Sequence, residues 1–121
     1  MAISDELPHI AFADTDALWA WLRLHHASDA GRWVVLQRAG SRTPSVTFHD
    51  LLEAGIAFGW SESTRRGRDA TSYLQKFTPR RSVGTTSERN RAIAERLQSE
   101  GRLTEPGRRA LGWPPDDGTQ D

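Results

Sequence analysis

The sequence contains no cysteine, one lysine, one methionine and one tyrosine among its 121 residues. The lack of cysteine excludes a disulfide framework, a thiolate nucleophile and a thiolate metal site. Apolar runs are short, and none approaches the roughly 20 residues that a membrane-spanning helix needs. The first residues lack the basic and apolar regions of a secretory signal, so we expect a cytoplasmic protein.

The usual catalytic and metal-binding patterns are missing as well. The four histidines contain no pair spaced four residues apart, which a helical zinc site requires (His9, His25, His26, His49). The segment Gly59–Ser63 resembles a nucleophile elbow but ends in serine where glycine is needed. No Walker or dinucleotide-binding glycine loop occurs. We therefore predict no catalytic residue, no metal and no cofactor, although a hydrolase or transferase with a dispersed site stays open.

What the sequence does contain is five tryptophans and an uneven distribution of charge. The length suits one domain with one core, to which large aromatic rings contribute much buried area. The formal net charge of zero is the sum of −4 over residues 1–62, +7 over 63–113 and −3 over 114–121. The second half therefore carries a local positive potential, which the net charge of the whole chain hides.

The order of periodic and turn-rich segments predicts a flexible segment at 1–13, one domain at 14–113 and a disordered acidic tail at 114–121. Helices are expected from Asp14 or Thr15 to about His26, after a capping box at Thr47 and Asp50, over 88–99, and from Thr104. Gly59 is expected to end the second helix in a left-handed conformation.

Strands are predicted at 33–37, 60–64 and 72–78, where apolar and β-branched residues lie between turn signals. The last two would pair as a hairpin joined by the polar loop 65–69, with Tyr73 and Phe77 on one face and Leu74 on the other. The predicted fold class is α+β: a small antiparallel sheet of about three strands, packed against three to four helices.

Four motifs in matching order resemble the YdeI/OmpD-associated (bacteriocin-protection) family. They are Phe58-Gly59-Trp60, the segment Tyr73–Arg81 with Phe77-Thr78-Pro79-Arg80 at its end, Ser87-Glu88-Arg89-Asn90, and Glu100–Gly107. The resemblance covers about Asp14 to Leu111. It implies a role in resistance to bacteriocins or antimicrobial peptides, or in a stress response, without an established reaction.

Two positions depart from that family's pattern. Ser61-Glu62-Ser63 stands where the family continues with isoleucine-aspartate-glycine, and Gly84 and Thr86 replace a serine-x-tryptophan. If the family's aspartate or tryptophan serves a ligand, this chain has an altered site. The family is sometimes described as periplasmic, whereas the missing signal favours the cytoplasm here.

The candidate ligand-binding residues are Trp60, Tyr73, Thr78, Arg80, Arg81 and Asn90. In the functional interpretation, a strand that ends at a proline positions the two arginines to hold a phosphate or carboxylate through bidentate hydrogen bonds. The alternative is a structural corner with solvated or paired arginines. Trp60 and Tyr73 would stack on a ligand or pack in the core, and Asn90 would hold the loop 78–81 or face water.

We therefore predict a non-catalytic binding domain for a small anionic ligand or an acidic partner surface. The rival hypothesis is a nucleic-acid-binding protein that uses the basic second half, with Trp60, Tyr73 and Phe77 as stacking partners. Against it, the sequence carries no known nucleic-acid-binding signature. The oligomeric state is left open.

Overall fold

Four helices and four strands make up the described part of the chain, residues 7–84 and 86–115 of a computed structural model. In chain order they are β1 (His9–Ala11), α1 (Thr15–His25), β2 (Arg32–Gln37), α2 (Phe48–Phe58), β3 (Trp60–Gly67), β4 (Ser72–Pro79), α3 (Glu88–Ser99) and α4 (Glu105–Leu111). The predicted α+β class is confirmed.

Side chains cap the helices where the sequence predicted them. The Asp14 carboxylate accepts a hydrogen bond from the backbone N–H of Ala17 at 2.9 Å. At the start of α2, the N–H of Thr47 donates to the Asp50 carboxylate and the N–H of Asp50 donates to the Thr47 hydroxyl, at 2.8 and 3.1 Å. This reciprocal capping box satisfies donors that the first helical turn leaves unpaired.

The sheet has the order β1-β2-β4-β3, which is four strands rather than about three. The additional strand is β1, which pairs parallel with β2 from His9 opposite Trp33 to Ala11 opposite Val35. It lies inside the segment 1–13 that was predicted to be flexible, and it makes the sheet mixed rather than antiparallel. Three residues are too few to show an alternating pattern, so β1 depends on the partner that β2 provides.

The hairpin of β3 and β4 is longer than predicted. Arg65, Arg66 and Gly67 were assigned to the loop, but they pair with Gln75, Leu74 and Tyr73. A β-bulge between Glu62 and Arg65 shifts the register within β3. Because β3 is the outermost strand on its side, these residues lie on an exposed edge of the sheet.

All four helices contribute to a core on one face of the sheet. That core includes Leu18 and Leu22 of α1, most of α2, and Val34, Trp60 and Phe77 of the sheet. The opposite face carries a small separate cluster of Trp33, Val35 and Leu74, against which Leu7 packs. The predicted alternation along β4, with Tyr73 and Phe77 on one face and Leu74 on the other, is confirmed.

Close backbone contacts join the elements where α2 passes into β3, a region that we call the glycine end. Gly59 adopts the predicted left-handed conformation with φ 79°, and Gly31 has φ 135°. A Cβ atom on Gly55 would lie 2.7 Å from the carbonyl oxygen of Trp60, and one on Gly107 would lie 2.7 Å from that of Ile56. These glycines permit α2, α4 and the sheet to approach more closely than side chains would allow.

Candidate functional site

A cleft of about 430 Å³ opens between α1, the end of α2 and the connector from α3 to α4. Its described lining includes four residues of α1, the last residue of α2 and three residues of the connector. They are Thr15, Asp16, Trp19, Arg23, Phe58, Gly101, Arg102 and Thr104. The cleft lies on the helical side of the molecule, away from the sheet.

The wall formed by α1 follows from helical spacing. Asp16, Trp19 and Arg23 are separated by three and four residues, so their side chains lie along the same face of the helix. On the adjacent face, Leu18 and Leu22 are fully buried in the core. The helix therefore anchors itself with its leucines and presents an acid, an aromatic ring and a base to the cleft.

The floor of the cleft is aromatic. The rings of Trp19 and Phe58 meet edge to face with centroids 5.4 Å apart, and the residues are 9% and 4% exposed. Edge-to-face contact is a favourable arrangement for two aromatic quadrupoles. Because both rings are held by the core, the floor is rigid before any ligand binds.

The facing wall is fixed by hydrogen bonds to the end of α2. The hydroxyl of Thr104 donates to the carbonyl oxygen of Ala57 at 2.6 Å, and the N–H of Thr104 donates to the same oxygen at 3.1 Å. These bonds satisfy a carbonyl that the last turn of α2 leaves unpaired. They also hold the connector at a set distance from α1.

Arg102 brings a positive charge to the aromatic floor. Its guanidinium carbon lies 4.4 Å from the ring centroid of Trp19, within the range of a cation–π contact. One guanidinium nitrogen also donates to the Glu100 carboxylate at 3.2 Å. A guanidinium group has five N–H donors, so these contacts leave donors directed to other acceptors.

The charges that line the cleft are those of Asp16, Arg23 and Arg102, which sum to +1. Within residues 7–84 and 86–115, Arg23 forms no ion pair, and Arg102 forms one with Glu100. The cleft thus combines an aromatic floor with two guanidinium groups, an arrangement that suits a ligand with an apolar body and an anionic group.

The structure places the predicted site residues elsewhere and divides them between two ends of β4. Trp60 and Thr78 lie at the glycine end, where Trp60 pairs with Pro79 and the N–H of Arg80 donates to the carbonyl oxygen of Gly59. Tyr73 precedes Thr78 by five residues, which corresponds to roughly 17 Å along a strand. The six residues therefore do not line one cleft together.

Trp60 belongs to the core. It is 2% exposed, its ring contacts Trp21 and Phe77, and its indole N–H donates to the carbonyl oxygen of His26 at 3.2 Å. Trp60 was predicted to line a cleft. In the structure its side chain lies in the core between the sheet and the helices instead, because Trp60 stands at the junction of α2 and β3. Stacking on Trp60 or on Phe77, which is 0% exposed, is excluded in this fold.

The two arginines and Asn90 lie on the loop after β4 and the first turn of α3. Arg80 is half-buried, and Arg81 is exposed. The side-chain oxygen of Asn90 accepts from Arg89 at 3.2 Å, and in the described part of the chain Asn90 makes no hydrogen bond to residues 78–81. Anion binding by Arg80 and Arg81 stays a prediction.

Sequence reasoning missed the cleft because its residues come from three separate elements. The helical spacing of Asp16, Trp19 and Arg23 was a usable signal on its own. Phe58 and Arg102 lie about 40 and 80 residues later in the chain than Trp19. The sequence pattern does not show that they come close to it.

No cluster of three histidine, cysteine, aspartate or glutamate side chains occurs among the described residues. None of the helices within the described ranges is both long and apolar enough to span a bilayer. A family profile described as a domain of unknown function (DUF8412) matches residues 10–110. No curated protein and no solved structure matches the chain with significance.

Proposed function

Since the chain belongs to the DUF8412 family, a domain of unknown function, we propose from its own geometry that it is a non-catalytic binding domain for a small anionic ligand. The single observation that carries the proposal is the cation–π contact of Arg102 with Trp19 at the cleft, 4.4 Å from guanidinium carbon to ring centroid. It puts a positive charge at the aromatic floor of the cleft.

The chemistry of the cleft selects the ligand class. Trp19 and Phe58 offer the small exposed parts of their rings to the apolar body of a ligand. Arg23 and Arg102 supply N–H donors that fit a carboxylate or a phosphate. We therefore expect an organic acid with a planar apolar group, of a size that fills part of about 430 Å³.

The hydroxyl of Thr104 has a structural role that fits binding better than catalysis. It donates to the carbonyl oxygen of Ala57, and it accepts from the N–H of Gly107 at 3.4 Å as the cap of α4. A hydroxyl engaged in this way is not poised as a nucleophile, which requires a neighbouring base to take its proton.

Three probes of the same shape and different charge test the proposal: phenylacetate, phenylacetamide and phenethylamine. Binding is followed by NMR through the indole N–H resonance of Trp19, with that of Trp33 on the other face of the sheet as an internal reference. Phenylacetate should bind most tightly, and it should shift the Trp19 signal alone. Equal binding of the neutral amide would contradict an anion site.

The matched variants are Arg23→Ala/Arg102→Ala in the cleft and Arg91→Ala/Arg109→Ala on exposed positions of α3 and α4. Both remove two positive charges. The cleft variant should weaken phenylacetate binding by about tenfold or more, because a hydrogen bond to a charged group contributes about 1.5–3 kcal/mol. Equal weakening by the control would show that net charge alone controls binding.

We keep resistance to bacteriocins or antimicrobial peptides as the proposed biological setting. It rests on the resemblance to the YdeI/OmpD-associated family, which stays a prediction. In that setting the cleft is the part that acts, so cells that express the wild-type chain should survive a peptide challenge better than cells with the cleft variant. Equal survival of the two kinds of cells would show that resistance does not depend on the cleft.

A further inference from the structure

Positive charge is concentrated at the end of the sheet where β3 turns into β4. Two segments meet there, residues 38–45 and 63–72, joined by a hydrogen bond from the N–H of Arg38 to the carbonyl oxygen of Thr71 at 2.8 Å. We call them the hairpin end. Together they hold five arginines and one acid, Asp69.

Two of these arginines share one aromatic ring. The guanidinium carbon of Arg65 lies 4.5 Å from the ring centroid of Tyr73, and that of Arg38 lies 5.5 Å from it. Arg65 also lies 5.9 Å from the ring of Phe48. The two guanidinium carbons are therefore within about 10 Å of each other, and the ring holds both in place.

No carboxylate among the described residues neutralises this pair of charges. In the part of the chain that the structure describes, neither Arg38 nor Arg65 forms an ion pair, and the guanidinium group of Arg38 donates to the backbone oxygen of Asp69 at 3.3 Å. The Asp69 carboxylate is instead occupied by Arg68 and by donors of Thr71 and Ser72. Two like charges held close together without a partner attract a polyanion.

The other face of the sheet carries positive charge as well, from Arg66 of β3 and Lys76 of β4. Arg66 lies 4.3 Å from the ring centroid of Trp33, and Lys76 lies 5.9 Å from it. Successive residues of a strand point to opposite faces, so Arg65 and Arg66 flank the edge of the sheet on both sides. Trp33 is 7% exposed, Tyr73 is half-buried, and each ring is contacted by two cations, so neither presents a freely exposed ring to a base.

We propose that the hairpin end binds the phosphodiester backbone of a nucleic acid without reading its bases. Charge is the only attraction on this surface: the large exposed hydrophobic residues of the described chain are Leu24 and Val83, and both lie elsewhere. Protein interfaces have an apolar centre, which this surface lacks. A densely charged backbone needs no such centre.

The proposal concerns residues outside the cleft, so it stands or fails independently of the ligand site. The test is fluorescence anisotropy with a labelled 20-nucleotide single strand and with the duplex of the same sequence, across a salt series. A comparison of the two affinities shows whether the hairpin end prefers the phosphodiester backbone of a single strand or that of a duplex. Homopolymers of adenine and thymine should bind within about twofold of each other, since neither Tyr73 nor Trp33 presents a freely exposed ring for stacking.

The variant is Arg38→Gln/Arg65→Gln, which keeps the side-chain stems and removes both charges. The slope of log K against log salt is negative, and its magnitude should decrease by about 1.4 for the single strand and about 1.8 for the duplex, since each phosphate contact contributes about 0.7 or 0.9. Arg38→Lys/Arg65→Lys keeps the charges and should keep the slope. It therefore separates loss of charge from a folding defect.

The control is Arg91→Ala/Arg109→Ala, with the same change in net charge, and it should leave the slope unchanged. The cleft variant Arg23→Ala/Arg102→Ala should do the same. Binding that does not depend on salt, or an equal loss in the control, would overturn the proposal. So would displacement by polyglutamate at equal charge concentration, since the partner would then be an acidic protein.

Discussion

At the glycine end of the sheet, backbone atoms of different elements lie in close contact, whereas at the hairpin end two guanidinium groups lie over the ring of Tyr73. The carbonyl oxygens of Ile56 and Trp60 lie where side chains of Gly107 and Gly55 would be. A Cβ on Gly67, by contrast, would have no atom within 4 Å. The same hairpin therefore begins in a region that tolerates no added atom and turns in a region that tolerates many. Changes of sequence should cost stability at the first end and affect binding at the second.

The largest expected effect is that of Gly107→Ala. Its new methyl group would collide with the carbonyl groups of Ile56 and Ala57, which belong to the last turn of α2. We expect a loss of about 3 kcal/mol in the free energy of unfolding, measured by urea denaturation. Gly67→Ala at the hairpin end is the matched control and should change it by less than about 0.5 kcal/mol. Similar losses in the two variants would remove the contrast between the ends.

A smaller loss is expected for Gly31→Ala, which also lies at the glycine end. The φ of 135° is unfavourable for alanine, and the methyl group would lie 2.6 Å from Cγ2 of Thr78. We expect a cost of about 2 kcal/mol, part steric and part conformational. Thr78→Ser removes Cγ2, so Gly31→Ala should cost about 1 kcal/mol less in that background. Additive effects in this double-mutant cycle would show that the contact with Thr78 carries no cost.

The smallest effect is a dependence on pH that arises at the start of β2. Asp29 accepts from two guanidinium nitrogens of Arg32 and from the N–H of Gly31, and the hydrogen bond from Arg32 lowers the pKa of Asp29 below 3.8. Because the folded-state pKa is the lower one, the unfolded chain takes up the proton first as pH falls. The stabilisation is complete above about pH 5 and is lost as pH falls through the folded-state pKa.

Asp29→Asn should therefore cost about 1.5 kcal/mol at pH 7 and converge with the wild type in acid. The measurement is urea denaturation at a series of pH values. Arg32→Met removes the same ion pair from the other side and should show the same convergence. A difference between wild type and variant that stays constant from pH 7 to pH 3 would contradict the role of this carboxylate.

Local chemistry could be predicted from the sequence, and long-range proximity could not. The capping box at Thr47 and the left-handed Gly59 each depend on neighbours within four residues, and both are confirmed. Strand β1 depends on hydrogen bonds to β2 more than 20 residues away, so it was missed. Tyr73 illustrates both cases: its face of β4 was predicted, but the arginines that cover its ring come from two other segments.

The candidate site shows the same division. The motif Phe77-Thr78-Pro79-Arg80 suggested an anion grip because arginines follow a proline that ends a strand. In the structure Thr78 lies beside Gly31, the N–H of Arg80 donates to Gly59 and Phe77 contacts the ring of Trp60, while anion binding by Arg80 and Arg81 stays a prediction. The aromatic and basic residues that do share a cleft, Trp19 and Arg102, gave no joint signal because 82 positions separate them.

The bulge between Glu62 and Arg65 has a consequence for how copies of this domain behave at high concentration. An outer strand with regular spacing offers a template on which another chain can add, which is a common route to fibres. Here the irregular spacing breaks that template midway along β3, and charged side chains follow it. On the other side, β1 spans three residues within the described part of the chain. Both edges of the described sheet are therefore poor templates for the addition of another chain. We expect the domain not to polymerise through its sheet edges at high concentration.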